Sequence, residues 1–245
     1  MTLTEILSPA SALFLDFDGT VVDLAPQPTA VEVPEPLVPL LRALQQHLGG
    51  AVAVVSGRPI DQIDAFLQPL ALPVAGVHGT ERRGLGGRMH LLHTHPLDRV
   101  EQAARALAAQ HPGLLVENKR GSIALHYRQR PELEALCLRV MQDAVDASPG
   151  LALMPGKMVL EAKPGGAGKG EAIEAFLSEA PFAGRMPVFI GDDVTDEAGF
   201  ATVQRLGGLG IKVGEGASAA RGRLSDPAAL RRGLQEALAA RQGTP

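Results

Sequence analysis

Asp16 and Asp18 stand two residues apart, directly after ALFL, a continuous apolar run that predicts a buried β-strand. In open α/β sheets, ligands bind beyond the carboxyl ends of the strands, and strand alternation points both side chains the same way. Converging carboxylates repel each other unless a cation compensates them, and Mg²⁺ prefers such oxygen ligands. The pair therefore predicts a magnesium site, with solvated turn aspartates as the plain alternative.

A second acidic cluster, in VFIGDDVTDE, follows another apolar run near the end of the chain. Helix capping alone would need one acidic residue there, not four. An acidic first helical turn accounts for Asp196 and Glu197 but leaves Asp192 and Asp193 unexplained. We therefore expect the three aspartates of this cluster to complete the metal site begun at the first strand.

Two further segments are suited to binding phosphate. Ser56, Gly57 and Arg58 follow the apolar strand AVAVV and precede a predicted helix, so a hydroxyl and main-chain N–H groups are available to an anion. The alternative for Ser56 is a plain helix cap. Lys169 begins another helix, where its charge opposes the helix dipole, and this indicates a nearby anion. The glycine-rich run before Lys169 does not match a P-loop.

Together these groups are suited to phosphoryl transfer. A carboxylate such as Asp16 can attack phosphorus to form an aspartyl-phosphate, and Mg²⁺ would screen the repulsion between the two anions. Lys169, Ser56 and main-chain N–H groups would position and neutralise the phosphoryl group. Asp18 can protonate the leaving alcohol and then deprotonate water.

The elements that would position these residues alternate between apolar runs and amphipathic segments. This pattern is typical of an α/β fold with a doubly wound, Rossmann-like parallel sheet. In the middle of the chain the pattern changes to alternating strands and two amphipathic helices, which predicts an inserted α+β domain. We expect a core domain of residues 1–83 and 161–245 and an inserted domain of residues 84–160.

The composition narrows the class of protein. Of 245 residues, 45% are hydrophobic and 20% charged, which favours a globular chain with a large core. A net charge of −4 and 3% aromatic residues give no basis for binding nucleic acid. No run approaches the roughly 18 apolar residues of a membrane span, and no basic region precedes the first apolar stretch, so we expect a cytoplasmic protein. The single cysteine, Cys137, is expected to be a buried, inert thiol.

The motifs DFDGT, VVSGR, Lys169 and GDDVTD, in this order, resemble those of the haloacid dehalogenase superfamily. The resemblance implies that Asp16 is the nucleophile, that Asp18 is the general acid and base, and that Ser56 and Lys169 hold phosphate. The metal roles that it implies are ligation by Asp16, the Asp18 carbonyl oxygen and Asp192, with Asp193 or Asp196 acting indirectly or through water.

Finer features resemble the trehalose-6-phosphate phosphatases within this superfamily. The matching segments are GVHGTERR, ENKRGSIALHYR, GKMVLEAKP and PVFIGDDVTDEAGF. The resemblance implies a Mg²⁺-dependent enzyme that converts trehalose 6-phosphate and water to trehalose and phosphate, the final step of trehalose biosynthesis. The chain departs from the family pattern in two places, at Val21 after DGT and in the glycine-rich run before Lys169. The glycine-rich run could loosen the placement of the Lys169 side chain.

Lysine is rare in this chain, with five among 23 basic residues, and four of the five lie between 119 and 169. A disaccharide rich in hydroxyls needs charged and amide partners, because polar groups buried without partners are costly. The resemblance implies that the inserted domain is a cap domain and that Asn118, Lys119, Lys157 and Glu161 of the cap bind the substrate. Arg58 and His78 are also expected to bind it. The alternative is that the cap residues are exposed strand positions, and His78 could equally belong to the core. We expect a monomer with a small sugar phosphate as substrate and neither nucleic acid nor a membrane as partner.

Two other functions remain open. One is a phosphatase for another sugar phosphate, such as sucrose phosphate or a mannosyl or glucosyl phosphoglycerate. The other is a catalytically silent module that binds a sugar phosphate, against which the presence of both Asp16 and Asp18 argues.

Overall fold

A computed structural model of the chain describes residues 2–25, 27, 30–91, 96–119, 121–156, 158–166 and 168–242. The chain divides into two compact units, Met1–His90 with Gly168–Pro245 and Leu91–Ala167. The sequence predicted boundaries at 84 and 160, which lie several residues before the boundaries of the second unit. The second one falls inside a strand, Val159–Pro164, that pairs with other strands of the second unit.

Helices separate single strands in the first part of the chain, whereas most strands further on follow one another in pairs or threes. The strands are β1 (Ser11–Leu15), β2 (Val52–Val55), β3 (Val74–Gly76), β4 (Glu81–Arg83), β5 (Met89–Leu91), β6 (Leu115–Lys119), β7 (Ser122–His126), β8 (Leu151–Gly156), β9 (Val159–Pro164), β10 (Met186–Gly191), β11 (Leu209–Val213) and β12 (Gly222–Leu224). The α-helices are α1 (Leu3–Ile6), α2 (Leu37–His47), α3 (Ile60–Leu67), α4 (Asp98–Gln110), α5 (Glu134–Asp146), α6 (Lys169–Leu177), α7 (Glu197–Arg205) and α8 (Pro227–Gln242). None of these helices is long and apolar enough to cross a membrane.

The larger sheet has eight strands in the order β12-β11-β10-β1-β2-β3-β4-β5. Neighbouring strands from β12 to β3 are parallel, whereas β4 runs antiparallel to β3. This confirms the predicted doubly wound sheet. From β1 the chain adds strands first on one side and later, beginning with β10, on the other. The carboxyl ends of β1 and β10 therefore form the topological switch point, where such sheets open a crevice for ligands.

Burial explains why the apolar runs form the central strands. Every residue of β1 and β2 is buried, as expected for parallel strands covered on both faces. Helix α2 buries Leu37, Leu40, Leu41 and Leu44, which lie on one face of the helix at a spacing of three to four residues. The same core includes Phe14 of β1, whose ring stacks on that of Phe182 with centroids 5.4 Å apart.

The second unit consists of a four-stranded antiparallel sheet and two helices. Its strand order is β6-β7-β9-β8, and its hydrophobic core joins the sheet to α4 and α5. Strand alternation explains how β7 contributes Ile123 and Leu125 to that core. Cys137 of α5 lies in the same core as a free, fully buried thiol, in agreement with the sequence prediction.

Candidate active site

The two predicted acidic clusters meet at the switch point because β1 and β10 are in register. Leu15 is paired with Ile190, and the main-chain N–H of Asp16 donates to the carbonyl oxygen of Ile190 at 2.9 Å. Asp16 and Asp192 therefore emerge from neighbouring strands at the same edge of the sheet. The register of this one strand pair brings together residues from opposite ends of the chain.

Lys169, the first residue of α6, bridges two carboxylates at this edge. Its Nζ lies 2.7 Å from Oδ1 of Asp16 and 2.5 Å from Oδ1 of Asp196, and all three side chains are buried. The position of Lys169 at a helix start predicted a nearby anion. In this structure two aspartates supply that negative charge. A buried cation needs such partners, because desolvation of an unpaired charge is costly.

Thr20 lies between the two acidic strand ends, and the sequence motifs predicted no role for it. Its fully buried Oγ1 lies 3.1 Å from Oδ2 of Asp16 and 3.1 Å from Oδ1 of Asp192. The preceding Gly19 has φ of +76°, and a Cβ there would lie 2.2 Å from Oδ2 of Asp192. The tight turn after Asp18 therefore requires glycine, because it carries the main chain against the Asp192 carboxylate. Reading the whole DFDGT motif as one turn would have indicated both roles.

The second acidic cluster separates into residues with different partners. Oδ2 of Asp196 accepts the main-chain N–H groups of Asp192, at 2.9 Å, and Asp193, at 2.8 Å. The exposed carboxylate of Asp193 instead accepts the N–H of Val194 at 2.7 Å and caps a short 3₁₀ helix. Lys212, for which no role was expected from the sequence, donates to the carbonyl oxygen of Asp192 at 2.5 Å. Asp196 thus orients this loop, and Asp193 is bound to the main chain outside the cluster.

The carboxylates of Asp16, Asp192 and Asp196 offer oxygens that all lie within 4.8 Å of one another. Burial raises the pKa of the Asp16 carboxyl well above its usual range, and it raises that of Asp192, with repulsion from Asp196 adding to both. Burial alone would lower the pKa of Lys169, but Asp16 and Asp196 reverse this effect and raise it. Three carboxylates beside Lys169 and Lys212 leave excess negative charge, which suits a hard divalent cation with oxygen ligands.

Asp18 points its carboxylate toward Arg58. Nε of Arg58 donates to Oδ2 of Asp18 at 2.6 Å, and Nη2 donates to Oδ1 at 2.8 Å, so both carboxylate oxygens are held. The guanidinium also lies over the ring of Phe66, 5.1 Å from its centroid, and donates to Gln62 at 3.2 Å. Arg58, predicted to bind substrate, is thus paired with the predicted general acid, and the Asp18 carboxylate is outside the converging group of three.

Ser56–Arg58, which the sequence predicts to bind phosphate and which we call the phosphate loop, follows β2, the neighbour of β1 in the sheet. The buried Ser56 hydroxyl oxygen accepts the N–H of Arg58 at 3.1 Å, as a helix-cap-like turn would. The half-buried His78 packs against the loop, since a Cβ on Gly57 would lie 2.7 Å from its Cε1. The structure therefore places the loop at the same sheet edge as Asp16, with His78 at its side.

In the second unit the structure groups some of the predicted substrate-binding residues and separates others. Nζ of Lys119 lies 3.2 Å from Oε2 of the buried Glu161. The side chain of Asn118 instead lies beside Glu101 of α4, because adjacent residues of a strand point to opposite faces. Lys157 lies outside the described residues. Lys119 and Glu161 are therefore together, and Asn118 is not with them.

Comparison with known proteins gives the family of the chain. A sequence model of the family described as trehalose-phosphatase matches residues 14–228. The chain is 44% identical to the trehalose-6-phosphate phosphatase of Escherichia coli (strain K12), over 92% of this chain and 85% of the relative. It is 46% identical to a probable trehalose-phosphate phosphatase of Sinorhizobium fredii, over 93% and 87%. A crystal structure of a trehalose-6-phosphate phosphatase related protein superposes with a TM-score of 0.72 at 26% identity, over 95% and 99% of the two chains. The chain therefore belongs to the trehalose-phosphatase family.

Proposed function

We propose that this chain hydrolyses trehalose 6-phosphate to trehalose and phosphate, with Mg²⁺ as cofactor and an aspartyl-phosphate on Asp16 as intermediate. The observation that carries the proposal is the buried Asp16 carboxylate at the switch point, whose two oxygens contact Lys169 and Thr20 at 2.7 and 3.1 Å. The names of the two relatives at 44% and 46% identity support the choice of substrate.

In the first half of the reaction, an oxygen of Asp16 forms a bond to phosphorus while the bond from phosphorus to the sugar oxygen breaks. Each carboxylate oxygen has two lone pairs, so the contacts with Lys169 and Thr20 orient Asp16 without removing its nucleophilic capacity. The Ser56 hydroxyl and the main-chain N–H of Gly57 would bind the phosphoryl oxygens. Asp18 supplies the proton that the leaving sugar oxygen takes up.

In the second half, Asp18 takes a proton from water, and the resulting nucleophile attacks phosphorus and releases phosphate from Asp16. Both carboxylate oxygens of Asp18 accept hydrogen bonds from Arg58, so neither is available to the leaving sugar oxygen in this arrangement. The acid role of Asp18 in the first half therefore requires this ion pair to open when the substrate binds.

The residues that would hold Mg²⁺ are Asp16, Asp192 and the carbonyl oxygen of Asp18. The fit rests on the three converging carboxylates and on the raised pKa values of Asp16 and Asp192, since a bound cation would relieve their repulsion. When bound, Mg²⁺ screens the charge between the nucleophile and the phosphoryl group. Asp196 would orient the ligands through its contacts with Lys169 and the following loop.

Lys119 and Glu161 are the residues that we propose for contacts with the sugar hydroxyls. Their ion pair presents a cation and a carboxylate side by side, which can donate to and accept from a vicinal diol. A cytoplasmic location and a monomeric state stay predictions.

The test is phosphate release with Mg²⁺ from trehalose 6-phosphate, sucrose 6-phosphate, glucose 6-phosphate and glucosyl-3-phosphoglycerate. We expect a clear preference for the first substrate, and equal or faster turnover of a monosaccharide phosphate would overturn the assignment. Binding without turnover would favour the silent module. Asp16→Asn should abolish activity, whereas Asp143→Asn, an isosteric change on the exposed face of α5, should not. Undiminished activity of Asp16→Asn would show that the nucleophile is wrong.

A further inference from the structure

A strained segment, which we call the brace (Gly76–Glu81), supports the phosphate loop and has no part in the mechanism above. Val77 and His78 both have positive φ, 47° and 53°, which is rare for any residue but glycine and most costly for a β-branched one. The N–H of Val77 donates to the carbonyl oxygen of Arg58 at 3.1 Å, and that of His78 donates to Ser56 at 3.0 Å. The strained conformation thus directs two N–H groups to carbonyl oxygens of the phosphate loop.

Glu81, the last residue of the brace, contacts the main chain just after the phosphate loop. Its side chain is buried, and its Oε1 accepts the N–H of Ile60, the first residue of α3, at 2.7 Å. A Cβ on Gly76 would lie 2.7 Å from that Oε1 and 2.9 Å from the carbonyl oxygen of Arg58. The Glu81 carboxylate and the phosphate loop therefore both pack against Gly76, which has no side chain, and a shift of one would move the other.

We propose that Glu81 is a positioning residue for phosphate binding, which acts by fixing the start of α3 and so the orientation of the phosphate loop. The inference rests on the proposed function, in which this loop binds the phosphoryl oxygens. Its physical reason is that N–H groups bind an anion well only when they are held in place beforehand, and an error of about 1 Å can cost about 100-fold.

The chain offers a matched control on the same pair of elements. Arg83 of β4 forms a two-point ion pair with Asp64 of α3, in which both N–O distances are 2.6 Å. This ion pair also joins β4 to α3, but it involves the second turn of the helix and not the phosphate loop. Asp64→Asn therefore weakens the same packing while leaving the contact of Glu81 in place.

The experiment measures the affinity for orthovanadate and inorganic phosphate by calorimetry, together with kcat, KM and Tm, for Glu81→Ala, Glu81→Gln and Asp64→Asn. We expect Glu81→Ala to bind both anions about tenfold more weakly and to raise KM more than it lowers kcat. Glu81→Gln should restore binding to within about twofold, because its amide oxygen can accept the same hydrogen bond. Asp64→Asn should lower Tm without changing anion affinity.

Three results would overturn the proposal: unchanged anion affinity in Glu81→Ala, equal losses in Glu81→Ala and Asp64→Asn, or no rescue by Glu81→Gln. If Glu81→Ala does not fold, Gly76→Ala replaces it, because its new methyl group would crowd both Glu81 and Arg58 and must weaken anion binding. Anion binding needs no turnover, so a parent protein that fails to hydrolyse trehalose 6-phosphate would refute the proposed function and still leave the role of Glu81 measurable.

Discussion

Replacing Thr20 with valine tests whether the hydroxyl between two acidic side chains orients the nucleophile. The side chain is fully buried, and Oγ1 lies 3.1 Å from both Asp16 and Asp192, while valine has nearly the same shape and no donor. One hydroxyl hydrogen serves one carboxylate at a time, and a hydrogen bond to a charged group contributes about 1.5–3 kcal/mol. Since about 1.4 kcal/mol corresponds to a tenfold change in rate, we expect kcat/KM to fall about 10- to 150-fold.

The assay is steady-state phosphate release from trehalose 6-phosphate at saturating Mg²⁺, with Tm measured for each variant. Thr20→Ser keeps the hydroxyl and loses only a methyl group, so we expect its kcat/KM to stay within about threefold of the parent value. A Thr20→Val protein as active as the parent would refute the reasoning. Equal losses in the serine and valine variants would also refute it, because they would show that shape matters and the donor does not.

Three other experiments test the site and the core. Gly19→Ala should reduce activity at least about tenfold and weaken Mg²⁺ binding in a titration, because left-handed strain of about 1–2 kcal/mol adds to a 2.2 Å clash with the Asp192 carboxylate; parent-like Mg²⁺ affinity would contradict this. Asp192→Asn should reduce the rise in Tm that Mg²⁺ produces relative to EDTA, since it removes one of three converging carboxylates, and an unchanged rise would count against the proposed metal site. Cys137 should react with Ellman's reagent only after unfolding, because burial raises the pKa of its thiol. Rapid reaction of the native protein would show that the second core opens readily.

The apolar pattern was sufficient to predict the central strands and insufficient at the edges of the sheet. Strands buried on both faces leave a continuous apolar run, which is why β1, β2 and β10 could be recognised. No such pattern marks β4, whose three residues are all charged. Glu81 binds the start of α3, Arg82 pairs with Glu179, and Arg83 pairs with Asp64. Its stability comes from contacts with distant residues, and these leave no local signal.

The same difference applies to the site. Sequence motifs predicted which polar residues follow the strands, but they did not predict that Arg58 pairs with Asp18 in the folded chain. They also grouped Asn118 with Lys119. In the folded chain the two residues point to opposite faces of β6, Lys119 toward Glu161 and Asn118 toward Glu101. Neighbours along the chain are not neighbours in the site unless the geometry of their element makes them so.

Local sequence is enough to place carboxylates and a lysine at element ends, because apolar runs and turn motifs act over a few residues. The contacts among them are a property of the folded chain. Lys169 meets Asp16 across 153 positions, and Thr20 meets Asp192 across 172. These contacts depend on the register between β1 and β10 and on the glycine turn beside Asp192. No pattern within a short segment of sequence encodes that register or that turn.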